Sequence, residues 1–352
     1  MIGNKRGFTL IEIMASVAIL SILMVILLQI TDSTQKTWSR TKAKVSQFKE
    51  ARNAFESINR NLRQATLNTY WDYQRDSAGN PQSYVRTSEL RFIAGNVDTL
   101  GLPQNTYTHA LFFQAPFGYA PNTPELKNLL NTRGYYIELT DGTDNLPNFI
   151  ASSAPQRWRL RLMEMVEPAG DLTLYDYTGN GNATTYTGQE WYTNPLGTNT
   201  YNHVLAENII ALIVRPKNNS EGTYINATND VRNAVQNIAP DYFYDSSGSI
   251  GNTTLSSVQT AQLPPVVQVV VVAIDEASAR RLTQAQMTAL ADDAHDLFSD
   301  RSENMEANLK LDSDRSATAS LENIMANHTP PISYRVYSSN VNISGSRWSG
   351  VR

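Results

Sequence analysis

An uninterrupted apolar run near the amino terminus constrains this chain more than any other feature. Residues 8–30 read FTLIEIMASVAILSILMVILLQI, a run of 23 residues with a single charged side chain. As an α-helix this run is about 35 Å long, enough to cross the ~30 Å hydrocarbon core of a bilayer. The sequence therefore predicts a membrane-spanning helix over residues 8–30.

The residues that flank the run predict its orientation. Only seven residues, MIGNKRG, precede it, and Lys5 and Arg6 lie next to its start. Because short basic flanks stay in the cytoplasm, we expect the amino terminus there and the rest of the chain on the other side of the membrane. A cleaved secretory signal is the alternative, but no small-residue A-x-A site follows the run. The segment is therefore expected to stay attached.

One carboxylate interrupts the apolar character of the span. Glu12 lies within the hydrocarbon stretch, where a charged side chain costs about 3 kcal/mol. No Lys or Arg occurs between residues 8 and 35, so the same helix offers no basic side chain at that depth. A cut after Gly7 would create a new amino terminus at Phe8, one turn from Glu12 or within reach of Glu12 in a staggered neighbouring helix.

The segment KRGFTLIEIMASVAIL resembles the leader and first helix of type IV pilins and of type II secretion pseudopilins. That family combines a short basic leader, Gly before the cleavage site, Phe after it, Glu at the fifth mature position and a long apolar stretch. Lys5, Arg6, Gly7, Phe8 and Glu12 supply these elements here. The resemblance implies cleavage between Gly7 and Phe8, N-methylation of Phe8, and a role for Glu12 in docking subunits into a filament.

The same resemblance implies a location, partners and a subtype. It implies a single-pass protein of the bacterial inner membrane with a cytoplasmic amino terminus and a periplasmic carboxyl-terminal domain, which enters a pilus or pseudopilus on assembly. The implied partners are the prepilin peptidase, other pilin or pseudopilin subunits, the inner-membrane assembly platform and membrane lipid. Many major pilins carry Pro near the twenty-second mature position, whereas this chain has Gln29, which favours a minor pilin or pseudopilin.

The helix is expected to continue beyond the membrane to about residue 66. No Gly or Pro occurs between residues 8 and 78, and apolar residues recur at helical spacing. This stripe predicts that residues 31–66 pack one face on the chain's own globular domain. Its members are Trp38, Val45, Phe48, Phe55, Ile58, Leu62 and Ala65. Residues 31–75 hold nine basic and four acidic residues, a net charge of +5, which suits a solvated face or contact with lipid headgroups or acidic neighbours.

From residue 67 onwards the composition predicts one β-rich domain. Short apolar runs alternate with stretches rich in Asn, Thr, Gly, Tyr and Pro, which is typical of strands joined by turns. We expect an α+β fold in which the long helix packs on a mainly antiparallel β-sheet within residues 67–352. The predicted strands are residues 88–94, 108–115, 134–140, 157–166, 202–216, 264–275 and 332–343. The valine-rich run in residues 264–275 is expected at the centre of a sheet.

A helical, acidic insertion of about residues 275–328 interrupts the strand pattern. Residues 275–298 and 320–328 show helical periodicity and are predicted to form two helices. Residues 275–322 contain eleven acidic and five basic residues, a net charge of −6, in contrast to the basic stem. This acidic surface is interpreted either as a solvated face or as a docking surface for another subunit.

The order of these segments also resembles two narrower groups. A long first helix, an LRF-type strand and a late strand introduced by Leu263 and Pro264 are similar to the minor pseudopilin J of type II secretion. The segments LPPVVQVVVVAIDEASARRL and YRVYSSNVNISGSRWS resemble the pilin-like Verru_Chthon cassette protein C family. Both likenesses imply a minor subunit of a pilus-like or secretion filament.

Few sequence features suggest a cofactor. The chain has no cysteine, which excludes disulfides, thiolate zinc sites and cysteine nucleophiles. Some pseudopilins bind calcium through loop carboxylates, and the resemblance therefore makes Asp292, Asp293, Asp296, Asp312 and Asp314 calcium candidates. We nevertheless expect the protein to need no cofactor.

The sequence favours a structural subunit over an enzyme. No HExxH, GxxxxGK or GxSxG motif is present, and His295 is interpreted as a surface ion-pair partner of Asp292 or Asp296. A net charge of −4 argues against nucleic-acid binding driven by phosphate. The alternative function is a filament-tip module that binds DNA, glycan or a secreted substrate through Tyr-rich and Asn-rich loops. Those loops are residues 70–84, 172–202 and 239–257.

Overall fold

The computed structural model describes residues 10–121, 128–143, 148–151, 157–176, 188–218, 238–248, 259–299, 301–309, 320–329 and 331–347. Its backbone separates into two compact units, Met1–Gln47 and Phe48–Arg352. The first helix, α1 (Leu10–Leu62), contributes to both units and ends slightly before the predicted boundary. The amides of Gln64 and Ala65 bond to carbonyl oxygens three residues earlier, so a tighter turn ends the helix without Gly or Pro.

Most of the second unit is built on an antiparallel sheet of six strands. In spatial order these are β7 (Asn202–Glu207), β6 (Arg159–Glu167), β5 (Asn131–Thr140), β4 (Thr106–Ala115), β3 (Phe92–Asn96) and β9 (Tyr244–Asp245). The strands predicted at residues 88–94, 108–115, 134–140 and 157–166 are confirmed as β3 to β6. β9 was not predicted, because two residues are too few to show a period.

A second antiparallel sheet has the order β11 (Tyr334–Asn342), β10 (Val266–Ile274) and β8 (Ile209–Lys217). β10 is central and buried along its whole length, as the valine-rich run predicts. The single strand predicted over residues 202–216 is wrong, because Asn208 has a φ of 61° and divides it into β7 and β8. Asn adopts this left-handed conformation more readily than a β-branched residue does.

The main core lies where the carboxyl-terminal part of α1 meets both sheets. Its buried stripe consists of Phe55, Ile58, Leu62 and Ala65, with Phe48 partly buried beside it. The ring of Phe55 lies 5.9 Å from that of Tyr337 on β11. On the other side, Asn61 Nδ2 donates a hydrogen bond of 2.8 Å to the hydroxyl of Tyr135 on β5. This half of α1 is thus part of the domain core.

The predicted stripe is correct over only part of its length. Residues 48–65 form a core face as predicted. Trp38 is 72% exposed, so its assignment to that face is wrong. The side chain of Val45 lies outside the described residues.

The opposite face of the six-stranded sheet carries a second core. Two short helices, α2 (Asn148–Ala151) and α3 (Thr173–Asp176), precede α4 (Glu190–Leu196) along the chain. On α4 the ring of Tyr192 stacks on Phe112 of β4 at 4.7 Å, and Trp191 meets Phe112 edge-on at 6.5 Å. The sheet is therefore buried on both faces here. A long helix and antiparallel sheets together confirm the predicted α+β fold class.

The segment between β10 and β11 is helical in its described parts. It contains α5 (Glu276–Ala279), α6 (Gln284–Leu297), α7 (Met305–Leu309) and α8 (Leu321–Asn327). The single helix predicted over residues 275–298 is wrong, because Thr283 and Gln286 form a capping box that starts α6 afresh. Ser320 caps α8, which confirms the helix predicted over residues 320–328.

A separate two-stranded hairpin follows α1. β1 (Tyr70–Arg75) and β2 (Pro81–Thr87) pair with each other in antiparallel register. The interpretation of residues 70–84 as a loop is therefore wrong. The turn is built by the Asp76 carboxylate, which accepts hydrogen bonds from the backbone N–H groups of Ala78 at 2.9 Å and Asn80 at 2.8 Å.

Candidate functional site

The apolar half of α1 is the first candidate site. Residues Leu10–Ser39 are long and apolar enough to cross a membrane, and none of their most apolar window is buried. The large apolar side chains from Leu10 to Ile30 are 46–76% exposed. A helix that is apolar on every side obtains its burial from lipid or from other helices. This geometry supports the predicted membrane-anchoring helix.

Hydroxyl groups in this segment bond to their own helix. They donate to backbone carbonyl oxygens about one turn earlier at 2.8–2.9 Å, in the case of Ser16, Ser21, Thr31, Thr34 and Thr37. Such local bonds lower the cost of placing hydroxyls in hydrocarbon. Beyond the apolar run, the Lys36 ammonium donates to Asp32 at 2.6 Å. Charged side chains thus resume just past Ile30.

Glu12 lies in the first turn of α1 with an exposed side chain. The positive end of the helix dipole favours a carboxylate there by at most about 1 kcal/mol. This gain is small beside the cost of about 3 kcal/mol for a charged side chain in hydrocarbon. The position therefore suits a carboxylate that meets a cation at the same depth. Lys5, Arg6, Gly7 and Phe8 lie outside the described residues, so the cleavage site and its pairing with Glu12 stay predictions.

Two helices of the second unit present opposite charges. Exposed basic side chains follow one face of α1, namely Lys49, Arg52, Arg60 and Arg63. On α6 the exposed residues Asp292, Asp293 and Asp296 are acidic. Arg52 is bonded to Glu56 at 2.8 Å, whereas the α6 carboxylates face solvent next to one another.

The calcium candidates are scattered or undescribed. Among the described residues, no three His, Asp or Glu side chains lie close enough together to hold a metal ion, and this includes Asp292, Asp293 and Asp296. Asp312 and Asp314 lie outside the described residues. The structure therefore brings none of the candidates together into a described metal site.

The interpretation of His295 as a surface partner of Asp292 or Asp296 is wrong. Its side chain is 15% exposed, and its Nε2 lies 3.0 Å from Oδ2 of Asp98, just after β3. Its Nδ1 accepts a hydrogen bond from the backbone N–H of Thr108 at 3.2 Å. The helical period turns His295 towards the sheet, while the neighbouring carboxylates face solvent.

His109, on β4, was missed by the sequence analysis. Its Nδ1 accepts a hydrogen bond from the N–H of Val214 at 3.0 Å, and its Nε2–H donates to the carbonyl of Phe298 at 3.0 Å. Burial lowers the pKa of His109 to about 4, so the imidazole is neutral near pH 7. Thr108, with a φ of 61°, accepts from the N–H of Leu212 at 3.2 Å. These bonds pair the N–H groups of Leu212 and Val214, on the edge of β8 that does not face β10.

Glu276, at the start of α5, was also missed. Its carboxylate lies 2.6 Å from Arg280, 2.8 Å from Arg157 and 3.4 Å from Arg159, and it accepts from Asn208 Nδ2 at 2.9 Å. Burial alone would raise the pKa of Glu276, but the bonds from Arg280 and Asn208 and the charge of Arg159 lower it to about 2. The cluster joins the ends of β6, β7 and β10 and is structural. Its members come from three distant segments, so no local pattern could have indicated it.

The other predicted binding loops are only partly described. In residues 172–202 the described parts include α3, α4, a short 3-10 turn (Asn199–Tyr201) and the start of β7, whereas residues 177–187 lie outside the described residues. In residues 239–257 the structure describes β9, and residues 249–257 lie outside the description.

Comparison with known proteins supports the amino-terminal site. Residues 2–28 match the family model of the prokaryotic N-terminal methylation motif. No curated protein and no solved structure matches this chain. The motif implies processing by a prepilin peptidase and assembly with other pilins, and its family consists of structural subunits rather than enzymes. Together with the exposed apolar helix, the match supports a membrane-anchored prepilin of the type IV pilin-like family.

Proposed function

We propose that this chain is a minor pilin or pseudopilin that prepilin peptidase cuts between Gly7 and Phe8 and methylates at Phe8. The processed subunit is held in the bacterial inner membrane with its amino terminus in the cytoplasm and its β-rich domain in the periplasm. The inner-membrane assembly platform then moves it into a type IV pilus-like or type II secretion filament. The match of residues 2–28 to the methylation motif is the observation that carries this proposal.

Glu12 sets the register between subunits in this proposal. The amine of Phe8 created by cleavage has the charge and depth to pair with Glu12 of a neighbouring helix. Leaving either group unpaired in hydrocarbon is costly, so a neighbour that satisfies both is strongly preferred over a shifted one. The exposed apolar side chains of α1 then pack against neighbouring helices instead of lipid.

The proposal also specifies the type of subunit and whether it needs a cofactor. Gln29 in place of Pro, and the likeness to pseudopilin J and to the Verru_Chthon cassette protein C family, favour a minor subunit. Such a subunit acts without catalysis, cofactor or nucleic acid. A filament-tip function in binding DNA, glycan or secreted substrate is the alternative, and binding to intact filaments would test it.

Intact-mass analysis of the protein extracted from membranes of its native host tests the processing step. With a working prepilin peptidase we expect a chain that lacks residues 1–7 and carries one added methyl group at Phe8. Without the peptidase we expect the uncut chain. An uncut chain in both strains would contradict the proposal and would indicate an ordinary signal-anchored protein.

Substitution of Glu12 tests the assembly step separately. Glu12→Ala should still be cleaved and inserted, yet it should be recovered in sheared filaments at no more than about a tenth of the wild-type amount, given a pairing energy above ~1.4 kcal/mol. Ser16→Ala is the matched control, because that exposed hydroxyl bonds to the carbonyl of Ile13 in its own helix. Normal assembly of the Glu12→Ala variant would show that the carboxylate does not set the register.

A further inference from the structure

The outer edge of β11 is an unprotected strand edge. β11 pairs with β10 along all nine of its residues without a bulge, and among the described residues no strand pairs with its other edge. Apart from this pairing, residues 334–342 make no backbone hydrogen bond to any described part of the chain. The strand contains neither Pro nor Lys. Long, regular edges of this kind are templates for another strand, and proteins normally protect them.

The other edges of the two larger sheets are protected. β9 has only two residues. The pairing of β7 with β6 is irregular, and its last residue, Glu207, donates its backbone N–H to the side chain of Glu50 on α1 at 3.2 Å. On β8, the side chains of Thr108 and His109 accept hydrogen bonds from backbone N–H groups. The outer edge of β11 has no such cover in the described part of the chain.

The register shows which main-chain groups of β11 point outwards. The N–H of Ile343 donates to the carbonyl of Pro265 at 3.2 Å, and the N–H of Asp275 donates to the carbonyl of Ser333 at 3.0 Å. These two bonds continue the β10–β11 register at its two ends. Because residues of an antiparallel strand alternate between the two edges, the odd-numbered residues of β11 bond to β10 and the even-numbered ones point outwards. The outward residues are Tyr334, Val336, Ser338, Asn340 and Asn342.

A basic flank of α1 runs beside this edge. Near one end of β11, the Tyr337 hydroxyl donates to the carbonyl of Phe48 at 2.8 Å. Just past the other end, the N–H of Ser344 donates to the carbonyl of Arg63 at 3.1 Å. Arg52 lies one turn after Phe48, and Arg63 follows about three turns later on the same flank. Both arginine side chains are exposed.

The surroundings of the edge are positively charged. Residues 48–66 and 331–347 together hold six basic and two acidic residues, a net charge of +4. Arg52 is paired with Glu56 at 2.8 Å, whereas no carboxylate among the described residues pairs with Arg63. An added strand that carries carboxylates is therefore favoured at this edge over a neutral or basic one.

We propose that the outer edge of β11 binds an extended acidic segment of a different filament subunit as an additional strand. Main-chain hydrogen bonds to the outward groups supply affinity, and the arginines on the flank of α1 select carboxylates in the added segment. The β11 strand of a second copy offers no complementary charge, because it carries Arg335 and no acidic residue. The choice of a subunit as the partner rests on the proposed filament function.

A contact of this kind suits a minor subunit. The strand edge and the acidic segment belong to different chains, so the pairing ends after one step and does not generate an array of this chain alone. The contact lies on the globular domain, and it therefore adds a choice of neighbour to the packing of the amino-terminal helices.

Photo-cross-linking from the edge tests the docking, and the chain has no native cysteine. The full-length Asn340→Cys variant, in which the substituted side chain is exposed, is expressed in the native host. Isolated membranes and filaments are labelled with a benzophenone maleimide and irradiated. Mass spectrometry should identify the cross-linked peptide as part of a cleaved pilin subunit other than this chain, and that peptide should contain several acidic residues.

Proline substitutions on β11 test whether the edge is the binding site. Ser338→Pro removes an outward N–H, so it should lower the adduct roughly tenfold or more, whereas Ser338→Ala keeps the N–H and should leave the adduct unchanged. Ser338→Pro should melt close to the wild type. Ser339→Pro, which breaks the bond to Val269 of β10, should melt at a clearly lower temperature. Equal melting losses in the two proline variants would show that the edge is not free.

Substitution of the two arginines tests the preference for an acidic segment. Arg52→Ala combined with Arg63→Ala should lower the adduct roughly threefold or more, and high salt should lower the wild-type adduct in the same way. Arg75→Ala, which removes an exposed arginine on β1, is the control and should leave the adduct unchanged. An adduct that is insensitive to both salt and the double substitution would contradict the charge preference.

The outcomes separate the docking from the filament function. A cleaved and assembled chain without an adduct, or with an adduct that Ser338→Pro leaves intact, would overturn the docking alone. An adduct with a second copy of this chain, or with a protein that is not a pilin subunit, would overturn the proposed partner. An uncut chain in a host with a working prepilin peptidase would overturn the filament function, whatever adduct is found.

Discussion

The two halves of α1 share one backbone conformation and differ in what covers their side chains. From Leu10 to Ile30 the apolar side chains are exposed on every side of the helix. From Phe55 to Leu62 the apolar side chains that are buried pack against two sheets of the chain's own domain. The first half is therefore incomplete without lipid or neighbours, whereas the second half is complete in a single copy. One helix thus carries two separable parts, an apolar surface that needs lipid or neighbouring helices to cover it and a face that stabilises the domain.

Polar groups follow the same division. In the first half, hydroxyls bond to carbonyls of their own helix, and this requires no particular neighbour. In the second half, Asn61 donates to Tyr135, whose hydroxyl donates at 2.8 Å to Glu164, and Glu164 pairs with Arg133 at 2.5 Å. Such a network fixes one helix position on one sheet. The polar groups of the first half are therefore compatible with many different neighbours. Those of the second half fix one packing arrangement on the sheet.

The largest expected effect tests this separation directly. Leu62→Ala should lower the free energy of unfolding of the domain by about 2–5 kcal/mol, because it removes a fully buried side chain from the main core. Leu23→Ala, in the exposed half, is the matched control and should leave domain stability within about 0.5 kcal/mol of wild type. Denaturant unfolding of the full chain in detergent, followed by near-ultraviolet circular dichroism, measures both. Equal losses in the two variants would show that the halves are not separable.

The features predictable from sequence are those encoded by neighbouring residues. The apolar run from Phe8 to Ile30 needs only length and composition, and the strands β3 to β6, β10 and β11 are visible as short apolar runs. The motif in residues 2–28 is likewise continuous. Local patterns therefore sufficed for the fold class and for the candidate processing site.

The features that could not be predicted from the sequence depend on unusual backbone conformations or on contacts between residues far apart in the chain. Positive φ at Asn208 splits one predicted strand, and positive φ at Thr108 lets a side chain replace a strand neighbour. The partners of Glu276 come from β6, from the β7–β8 break and from its own helix. The hairpin was missed because exposed strands lack the apolar alternation by which strands are recognised.

The second prediction concerns the loss of folding stability at acidic pH, which we expect to arise in the globular domain. His109 is neutral in the fold down to pH about 4, whereas the unfolded chain binds a proton below about pH 6.5. Stability from this group is therefore complete above pH 6.5 and falls as the pH drops towards 4, by about 3 kcal/mol in all. Unfolding measured across this range should show the loss in the wild type.

Substitution of His109 gives the test of that assignment. His109→Asn keeps an acceptor for Val214 and should cost about 1–3 kcal/mol at pH 7, but it should remove this pH dependence. His203→Asn, an exposed histidine on β7, should leave the pH dependence as in the wild type. If the His109→Asn variant lost stability with acid as steeply as the wild type, the buried imidazole would not be the cause.

A smaller effect on domain stability is expected from substitution of Glu276, whose carboxylate links the ends of several strands. Glu276→Gln should destabilise the domain by about 1–3 kcal/mol, because it leaves the nearly buried Arg159 without its charged partner. The lowered pKa means that this contribution is complete above pH about 4.5 and is lost as the pH falls towards 2. Glu56→Gln, in an exposed pair with Arg52, is the control and should change stability by less than about 1 kcal/mol. The reverse ranking of the two variants would contradict the structural role of Glu276.

Calcium should have the smallest effect on stability, since neither the amino-terminal half of α1 nor the globular domain is expected to need it. An ion that binds only the folded state raises the melting temperature by mass action, so about 1 mM calcium would be visible for a site of ordinary extracellular affinity. We expect equal melting temperatures of the full chain in calcium and in chelator. A saturable rise that Asp292→Asn and Asp293→Asn abolish would place a site on α6, and one that Asp312→Asn and Asp314→Asn abolish would place it in residues 310–319. Either result would show that the globular domain also needs something outside the single chain, namely a calcium ion. It would then differ less sharply from the amino-terminal half of α1, which needs lipid or neighbouring helices.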